Sequence, residues 1–435
     1  MKKIGVVGMG YVGLTFSIVA AKKGFTVSGV EKNKNILKAL ESGKAHFFEQ
    51  GINSALKKFL NRNILISDSF KSLGRQDVFI ITVGTPLINK DAGPDIQHIV
   101  EALKSISNVF TGKELVILRS TVSVGVTREY VIPHLSKISG INKNDLKVAF
   151  CPERTVEGNA LQELVHLPQI IGANNSEAMK LAERLFSKLT PTTLSVESIE
   201  AAELIKLLNN TYRDVHFSIG NYFNEIAQSF GINGLELIKA ANYKYPRSRI
   251  AMPGFVGGPC LEKDPYILTH NLKKSKGKEF VLDARKYNES LEDSVVNWAK
   301  KITANLKIKK IGITGLAFKG KPDTSDLRGS NGVSIVKSLK NSGFEVVLHD
   351  FIASQVEVSA LGKSYSDLYE MINGLPLLMI LNNNRRYQSL DLEIIETGMK
   401  TPKIILDCWN CIGNEASNTN LDILNIGDLF LDQRV

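Results

Sequence analysis

"KKIGVVGMGYVG" (Lys2–Gly13) and "KKIGITGLAFKG" (Lys309–Gly320) are two versions of one pattern. Both carry Lys, Lys, Ile and Gly at the same places, then two further glycines in register. Each runs into a similar later stretch, "GFTVSGVE" (Gly24–Glu31) and "GFEVVLHD" (Gly343–Asp350). A short apolar run, a glycine-rich turn, a helical pattern and a second apolar run closing on a carboxylate make the βαβ start of a parallel sheet. The chain therefore reads as α/β, with two Rossmann-like doubly wound domains. The second half has Ala317 where the first has Gly10, adds Lys319, and carries an insertion beginning "KPDTSDLRG" (Lys321–Gly329).

Working outward from the first copy, further strands are expected at "DVFIITVGTP" (Asp77–Pro86), "LVILRST" (Leu115–Thr121) and "LKVAFCPE" (Leu146–Glu153). From Ser198 the character changes. "SIEAAELIKLLNNTYRDVHFSIGNYFNEIAQSFG" (Ser198–Gly231) has helical spacing and no proline, which predicts a long central helix or helix pair joining the two halves. The expected domains are 1–195 for a dinucleotide, 196–300 as a helical middle, and 301–435 as the second Rossmann-like unit.

Bulk properties agree. A chain of 435 residues exceeds an ordinary single domain, and 43% hydrophobic with 23% charged residues suits packed globular cores. No apolar run suggests a membrane span, and the N-terminus enters a strand at once, so a cytoplasmic protein is expected. Four scattered cysteines fit a reduced compartment. The net charge of +10 is not gathered into one run; "KKSKGK" (Lys273–Lys278) reads as a solvated turn, and no nucleic-acid motif is present.

Gly8-x-Gly10-x-x-Gly13 has the context a dinucleotide site needs. Gly8 allows the tight turn, Gly10 lets a pyrophosphate approach the backbone, and Gly13 lets helix and strand pack closely. Glu31 would accept hydrogen bonds from ribose hydroxyls and repel a 2′-phosphate, which favours NAD over NADP. "GFVGGPCLEKD" (Gly254–Asp264) sets one thiol, Cys260, among glycines with Lys263 nearby. It reads as a nucleophile or as a packed small side chain, and no histidine is near enough to suggest a metal. Lys206 and Asn210, four apart in a helical stretch, share a face and can donate to an oxyanion or simply be solvated. Glu153 and Glu157 flank Arg154 after a strand, as divided base and water-activating groups or as loop charges. Cys408 and Cys411 form a lone CxxC, read as two incidental thiols at a strand end.

Together the motifs "GMGYVG", "GTP" (Gly84–Pro86), "STV" (Ser120–Val122), "PER…EG", "ELIKLLNNTYRD", "GFVGGPCLEKDP" and "GLAFKGKPDTSDLRGS" resemble, in order and over nearly the whole chain, the nucleotide-sugar 6-dehydrogenases of UDP-glucose, GDP-mannose and UDP-N-acetylhexosamines. The resemblance implies NAD, a nucleotide-sugar substrate, no metal, and a homodimer with a shared substrate site. It implies four-electron oxidation of the sugar C6 alcohol to a carboxylate through a thiohemiacetal and thioester on Cys260. On matching positions it implies that Lys206 and Asn210 stabilise oxyanions, Asp264 orients water or the lysine, Glu153 activates the hydrolytic water, and Thr121 lies near the reacting centre. Cofactor contacts are implied for Gly8, Gly10, Tyr11, Val12, Gly13, Glu31, Thr85, Pro86, Thr121, Glu157, Lys263 and Arg328. Substrate contacts are implied for Glu153, Arg154, Lys206, Asn210, Arg247, Phe255, Gly257 and Lys319.

"Pro-Glu-Arg" at Pro152–Arg154 and the Asp264-Pro265 pair resemble the UDP-N-acetylhexosamine branch, whereas Lys263 and Pro259 depart from it. The expected substrate is a UDP-N-acetylated hexose, UDP-N-acetylmannosamine first and the glucosamine or galactosamine analogue next. UDP- or TDP-glucose is the alternative. A single-hydride dehydrogenase and a non-catalytic NAD-binding module are the competing classes.

Overall fold

A computed structural model of the chain describes residues 1–90, 93–270, 272, 276–413 and 419–429. Lys273, Lys274 and Ser275 of the lysine cluster lie outside the described residues. Packing divides the chain into two compact units: Met1–Asn209 with Tyr266–Lys273, and Asn210–Pro265 with Lys274–Val435.

The first unit is built on β1 (Lys3–Val7), β2 (Thr26–Val30), β3 (Ile64–Ser67), β4 (Val78–Ile81), a small antiparallel hairpin of β5 (Leu87–Asn89) and β6 (Gly93–Pro94), β7 (Leu115–Leu118), β8 (Lys147–Phe150), β9 (Gln169–Ala173) and β10 (Thr193–Ser195). Its main sheet has the order β10-β9-β8-β7-β4-β1-β2-β3, and its pairs are parallel except β8 with β9. Residues alternate between two buried faces. Ile4, Val6, Val78 and Ile80 join Leu14 and Ile18 of the helix Tyr11–Lys22, while Val7, Phe79 and Ile81 join Ile99 and Leu103 on the other side. Burial on both faces is why these strands read as unbroken apolar runs. β3 escaped the sequence reading because it is a short edge strand with only Ile64 fully buried.

The second unit holds β11 (Lys310–Thr314), β12 (Glu345–His349), β13 (Lys363–Ser364), β14 (Leu377–Ile380), β15 (Ile404–Asp407) and β16 (Asp422–Asn425), all parallel, in the order β13-β12-β11-β14-β15-β16. One face packs Val295, Ala299 and Ile302 of the helix Lys276–Asn305 with Ile335 and Leu339 of the helix Asn331–Asn341. The other packs Met371, Ile372, Tyr387 and Ile395.

The central helix is a single element, Ile199–Ser229, and the division between the units falls inside it. Gly220 sits mid-helix, where glycine ordinarily costs about 1 kcal/mol against alanine. Its reason is contact: a Cβ there would lie 2.2 Å from the Ala251 carbonyl oxygen.

The two glycine turns differ in one respect from the sequence register. In the first half, a Cβ on Gly13 would stand 1.9 Å from the Gly8 carbonyl oxygen, so Gly13 sets the helix against the turn. The second half places Gly332 in that role, 3.3 Å from the Gly315 carbonyl oxygen by the same measure. Gly320, its partner in register, lies just before the insertion and packs on Asn384. The insertion delays the helix until Asn331, so the residue that meets the turn is a later one.

Candidate active site

In the first unit β1 and β4 are neighbours whose chain connections depart in opposite directions across the sheet, which opens a crevice at their carboxyl ends. A cleft of about 390 Å³ lies there, lined by Gly8, Gly10, Glu31, Thr82, Gly84, His98 and Glu101 among others. Gly8 adopts φ +87°, and a Cβ on Gly10 would meet open space. No side chain caps the helix Tyr11–Lys22, so its first turn offers N–H groups to the cleft. Glu31 accepts from Met9 N–H (2.9 Å) through one oxygen and Asn33 N–H (2.8 Å) through the other. Each oxygen keeps acceptor capacity towards the cleft. An open middle glycine, an uncapped helix start and a half-satisfied carboxylate fit a dinucleotide with free ribose hydroxyls.

Beside this cleft the GTP and STV loops are joined. The Thr85 hydroxyl donates to the Thr121 carbonyl (2.5 Å) and the Ser120 hydroxyl to the Val83 carbonyl (2.7 Å). Pro86 follows directly. Glu203 of the central helix accepts from Gly125 N–H (2.6 Å), Thr127 N–H (2.9 Å) and the Thr127 hydroxyl (2.6 Å), which fastens the same loop to that helix. Tyr11 stacks on Phe47, and its hydroxyl donates to Glu49 (2.5 Å). Glu49 in turn accepts from Gly158 N–H (2.8 Å), the residue after Glu157. Tyr11 thus spends its hydroxyl on holding the Glu157 loop, while its backbone and that of Val12 remain at the glycine turn.

Glu153 is buried and fully engaged. One oxygen accepts from Arg154 N–H (2.8 Å) and Thr155 N–H (2.7 Å), the other from Arg119 (2.5 Å). Burial alone would raise its pKa, but the Arg119 charge and the Thr155 N–H outweigh this and hold it below the usual carboxylate range. Arg119 is itself buried, lies over the rings of Phe16 and Phe186, and donates to Gln169 (2.9 Å). Arg154 is half-buried and reaches the Pro168 carbonyl (2.5 Å). Lys206, on the central helix, is buried.

In the second unit Asn210 donates to Asp264 (2.6 Å), and the other oxygen of that buried carboxylate faces Lys263 Nζ at 3.5 Å. Cys260 stands on the turn before the helix Asp264–His270, its carbonyl accepting from Asp264 N–H (2.9 Å). The residue is exposed and forms no disulfide. The loop glycines are required by contact. Gly254 packs on Trp409, Gly257 on the Gly329 carbonyl and Asn331, and Gly258, at φ +90°, on Phe318. Gly258 N–H also donates to the Gly329 carbonyl (2.7 Å). The loop is therefore built against the segment that carries Lys319 and Arg328. Phe255 is buried in the core beside it. Lys319 Nζ lies over the Phe318 ring (5.4 Å), and Arg328 grips Asp326 through both carboxylate oxygens. Arg247 stacks on Tyr245 (4.6 Å) and donates to its hydroxyl (3.0 Å).

Sequence reasoning missed the groups behind the site: Arg119, Glu203 and Glu49 in the first unit, and Asp214, Asn221 and Arg285 in the second. Asp214 lay inside a motif already singled out, but nothing in its spacing reveals a partner 71 positions away. Burial raises both CxxC thiols: Cys408 is buried and pushed well up, and Cys411 is pushed up to about 12, so neither is poised as a thiolate. Among the described residues no cluster fit for a metal occurs, and no helix is long and apolar enough to cross a membrane.

With this geometry in view, the chain matches three domains of the UDP-glucose/GDP-mannose dehydrogenase family: the NAD binding domain over 2–190, the central domain over 200–290 and the UDP binding domain over 312–414. It belongs to that family of NAD-dependent nucleotide-sugar dehydrogenases, and its cofactor is NAD. UDP-N-acetyl-D-mannosamine dehydrogenase of Pyrococcus horikoshii is 33% identical, spanning 94% of this chain and 96% of its own. The Methanocaldococcus jannaschii protein of the same name is 32% identical over 95% and 93%. The solved Pyrococcus horikoshii structure matches with TM-score 0.87 at 32% identity over 98% of this chain and 99% of that one. The UDP-N-acetyl-mannosamine dehydrogenase of Staphylococcus aureus matches with TM-score 0.86 at 28% identity over the same shares.

Proposed function

We propose that this chain oxidises UDP-N-acetyl-D-mannosamine at C6 to the uronate, with Cys260 as the nucleophile of the second oxidation. The observation that carries the reaction is the exposed Cys260 on a glycine-built turn leading straight into Asp264, whose carboxylate is bound by Asn210. The names of the relatives support the choice of sugar.

NAD, held by the Gly8–Gly13 turn, Glu31 and the joined Thr85, Pro86 and Thr121 loops, supplies the hydride acceptor for both oxidations. The C6 alcohol first loses a hydride and a proton, leaving an aldehyde. The Cys260 thiolate then adds to the carbonyl carbon, and Lys206 and Asn210, one turn apart on the central helix, stabilise the charge that gathers on oxygen. Loss of the second hydride converts this adduct to a thioester. Water attacks the thioester, Glu153 takes its proton, the carbon–sulfur bond breaks, and acid and thiol are released. Arg119 suits Glu153 to this work by keeping it ionised. Asp264 orients Asn210 and the attacking groups. Arg154, Arg247, Phe255, Gly257 and Lys319 hold the nucleotide sugar, with Lys319 on phosphate, and Glu157, Lys263 and Arg328 stand towards the cofactor. Segments 1–195, 196–300 and 301–435 serve NAD, the shared middle and the nucleotide sugar.

The active form is a homodimer. Tyr212, Ile219, Tyr222, Phe223 and Ile226 recur at helical spacing on the central helix, Phe230 follows just past its end, and all are exposed, an apolar stripe that a second copy would cover. Dependence on NAD and on a reduced Cys260 fits the cytoplasm.

A panel of UDP-sugars scored by NADH formed per sugar consumed tests the reading. UDP-N-acetylmannosamine is expected to give two NADH per sugar and to be preferred, and Cys260→Ala to abolish the acid. One NADH per sugar, or acid formation without the thiol, overturns the mechanism. Preference for UDP-glucose overturns the sugar. A monomer of unchanged activity by light scattering removes the dimer.

A further inference from the structure

The loop that presents Cys260 has no regular secondary structure of its own from Gly254 to Gly257. Backbone polar groups in such a segment need partners from elsewhere. The second unit supplies them from a buried network on two helices. Asn221 on the central helix brackets Gly254, accepting from its N–H (2.8 Å) and donating to its carbonyl (3.1 Å). Arg285 on the helix Lys276–Asn305 brackets the thiol itself. Its Nη2 donates to the Val256 carbonyl (2.9 Å), four residues before Cys260, and its Nη1 to the Leu261 carbonyl (3.2 Å), one residue after.

The same Nη1 donates to Asp214 on the central helix (2.5 Å), and both side chains are buried. Asn288 donates to the Asp214 carboxylate (3.0 Å) and carbonyl (2.8 Å), and its own oxygen accepts from Asn221 (3.0 Å). Glu289 adds a carboxylate oxygen 3.6 Å from Arg285 Nε. A guanidinium is the side chain whose planar fork can meet a carboxylate and two carbonyls from two separate nitrogens at once; an ammonium offers its donors from a single atom. Burying such a charge is costly for stability alone, and an apolar replacement often serves as well. Its placement on the two peptides that flank the thiol gives it a reason beyond packing.

We propose that Arg285, held by Asp214, is a positioning residue for Cys260: it sets the height and direction of the thiol by gripping the carbonyls on either side. This rests on the reading of Cys260 as nucleophile given above. Arg285 does not touch the substrate; it acts through the loop. The first oxidation needs no thiol, whereas the second does, so a misplaced thiol divides the two.

The test compares wild type, Cys260→Ala, Arg285→Lys and Arg285→Met in two assays: single-turnover oxidation of UDP-N-acetylmannosamine, and oxidation of the corresponding 6-aldehyde supplied directly. Wild type and Cys260→Ala come first; acid formed by Cys260→Ala sinks the nucleophile reading and is seen before any arginine variant is judged. If that control holds, Arg285→Met should slow the aldehyde-to-acid step by ~100-fold, the scale on which a misplacement of about 1 Å acts. The alcohol-to-aldehyde step and the KM for the sugar should change far less, and Arg285→Lys should recover part of the lost step. Equal loss of both steps, or an unchanged second step in either variant, overturns the proposal. If Arg285→Met does not fold, Arg285→Lys, which keeps the charge beside Asp214, decides the matter by the same partition.

Discussion

The two α/β halves begin with nearly the same dozen residues, and each closes its second strand on a carboxylate, yet the two carboxylates are used differently. Glu31 takes one backbone N–H on each oxygen and keeps capacity towards an open cleft. Asp350 takes two on each: Leu316 and Ala317 N–H on one oxygen (2.7 and 2.9 Å), Ile352 and Ala353 N–H on the other (2.7 and 2.8 Å). The turns differ in the same sense. Gly10 faces open space, whereas the Gly315–Gly320 turn packs against Asn382–Asn384. Asn382 donates to the Ala317 carbonyl (3.1 Å) and Asn383 accepts from Gly320 N–H (2.8 Å). One copy of the motif is held open for a ligand, and the other is tied to its own chain. A shared signature predicts a shared backbone path; whether it is a site depends on what fills the crevice.

The largest break in this comparison should come from Gly13→Ala. Its new Cβ would overlap the Gly8 carbonyl, so a loss of ~3 kcal/mol, at the upper end of overpacking effects, is expected. Calorimetry should then find no thermal shift on adding NAD. Next, Asp350→Asn replaces a carboxylate accepting four N–H groups with an amide that has one acceptor oxygen, and should cost about 1–3 kcal/mol by urea melts with NAD affinity unchanged. Glu31→Gln should do the reverse, weakening NAD in titration calorimetry more than it lowers the melting point. Equal effects of the two would erase the distinction drawn between the halves.

A smaller effect concerns the charge behind Glu153. Its pKa is depressed in the folded state, so its contribution to stability is present above the unfolded value of ~4.3 and is lost as pH falls through the lower folded value. Arg119→Met removes the opposing charge and should move the acid limb of the acid-forming step up by ~1–3 pH units, the usual reach of such a pair. An unmoved limb would mean that Glu153 is not the group reporting there. The smallest effect is expected from Gly332→Ala. Its Cβ would stand 3.3 Å from the Gly315 carbonyl, tight but within the reach of slight adjustment, and the change should stay under ~1 kcal/mol in the same melts.

Much of the scaffold was legible because its signals are local. Apolar runs announced β1, β2, β4, β7 and β8, and helical spacing announced a helical stretch from Ser198 that the structure makes one piece, Ile199–Ser229. The edge strand β3 and the later start of the helix after the second turn were not, since the first is set by pairing and the second by where an insertion ends. The site divides in the same way. Gly8, Gly10, Gly13, Glu31, Cys260 and Asp264 stand in short motifs whose spacing carries their chemistry. Arg119, Glu49, Asp214 and Arg285 have no such mark, because each acts on residues tens of positions away along the chain.

By itself, then, the sequence determined the repeated βαβ start, the apolar runs that become the inner strands of the first half and the candidate reacting groups, all of which depend on neighbours a few residues apart. Only the tertiary structure decided that the second copy of the glycine turn is filled by Asn382–Asn384, that Glu153 is ionised against Arg119, and that a buried arginine grips the peptides beside Cys260. Those outcomes depend on burial and on hydrogen bonds between distant segments, and both come into being only when the chain has closed on itself.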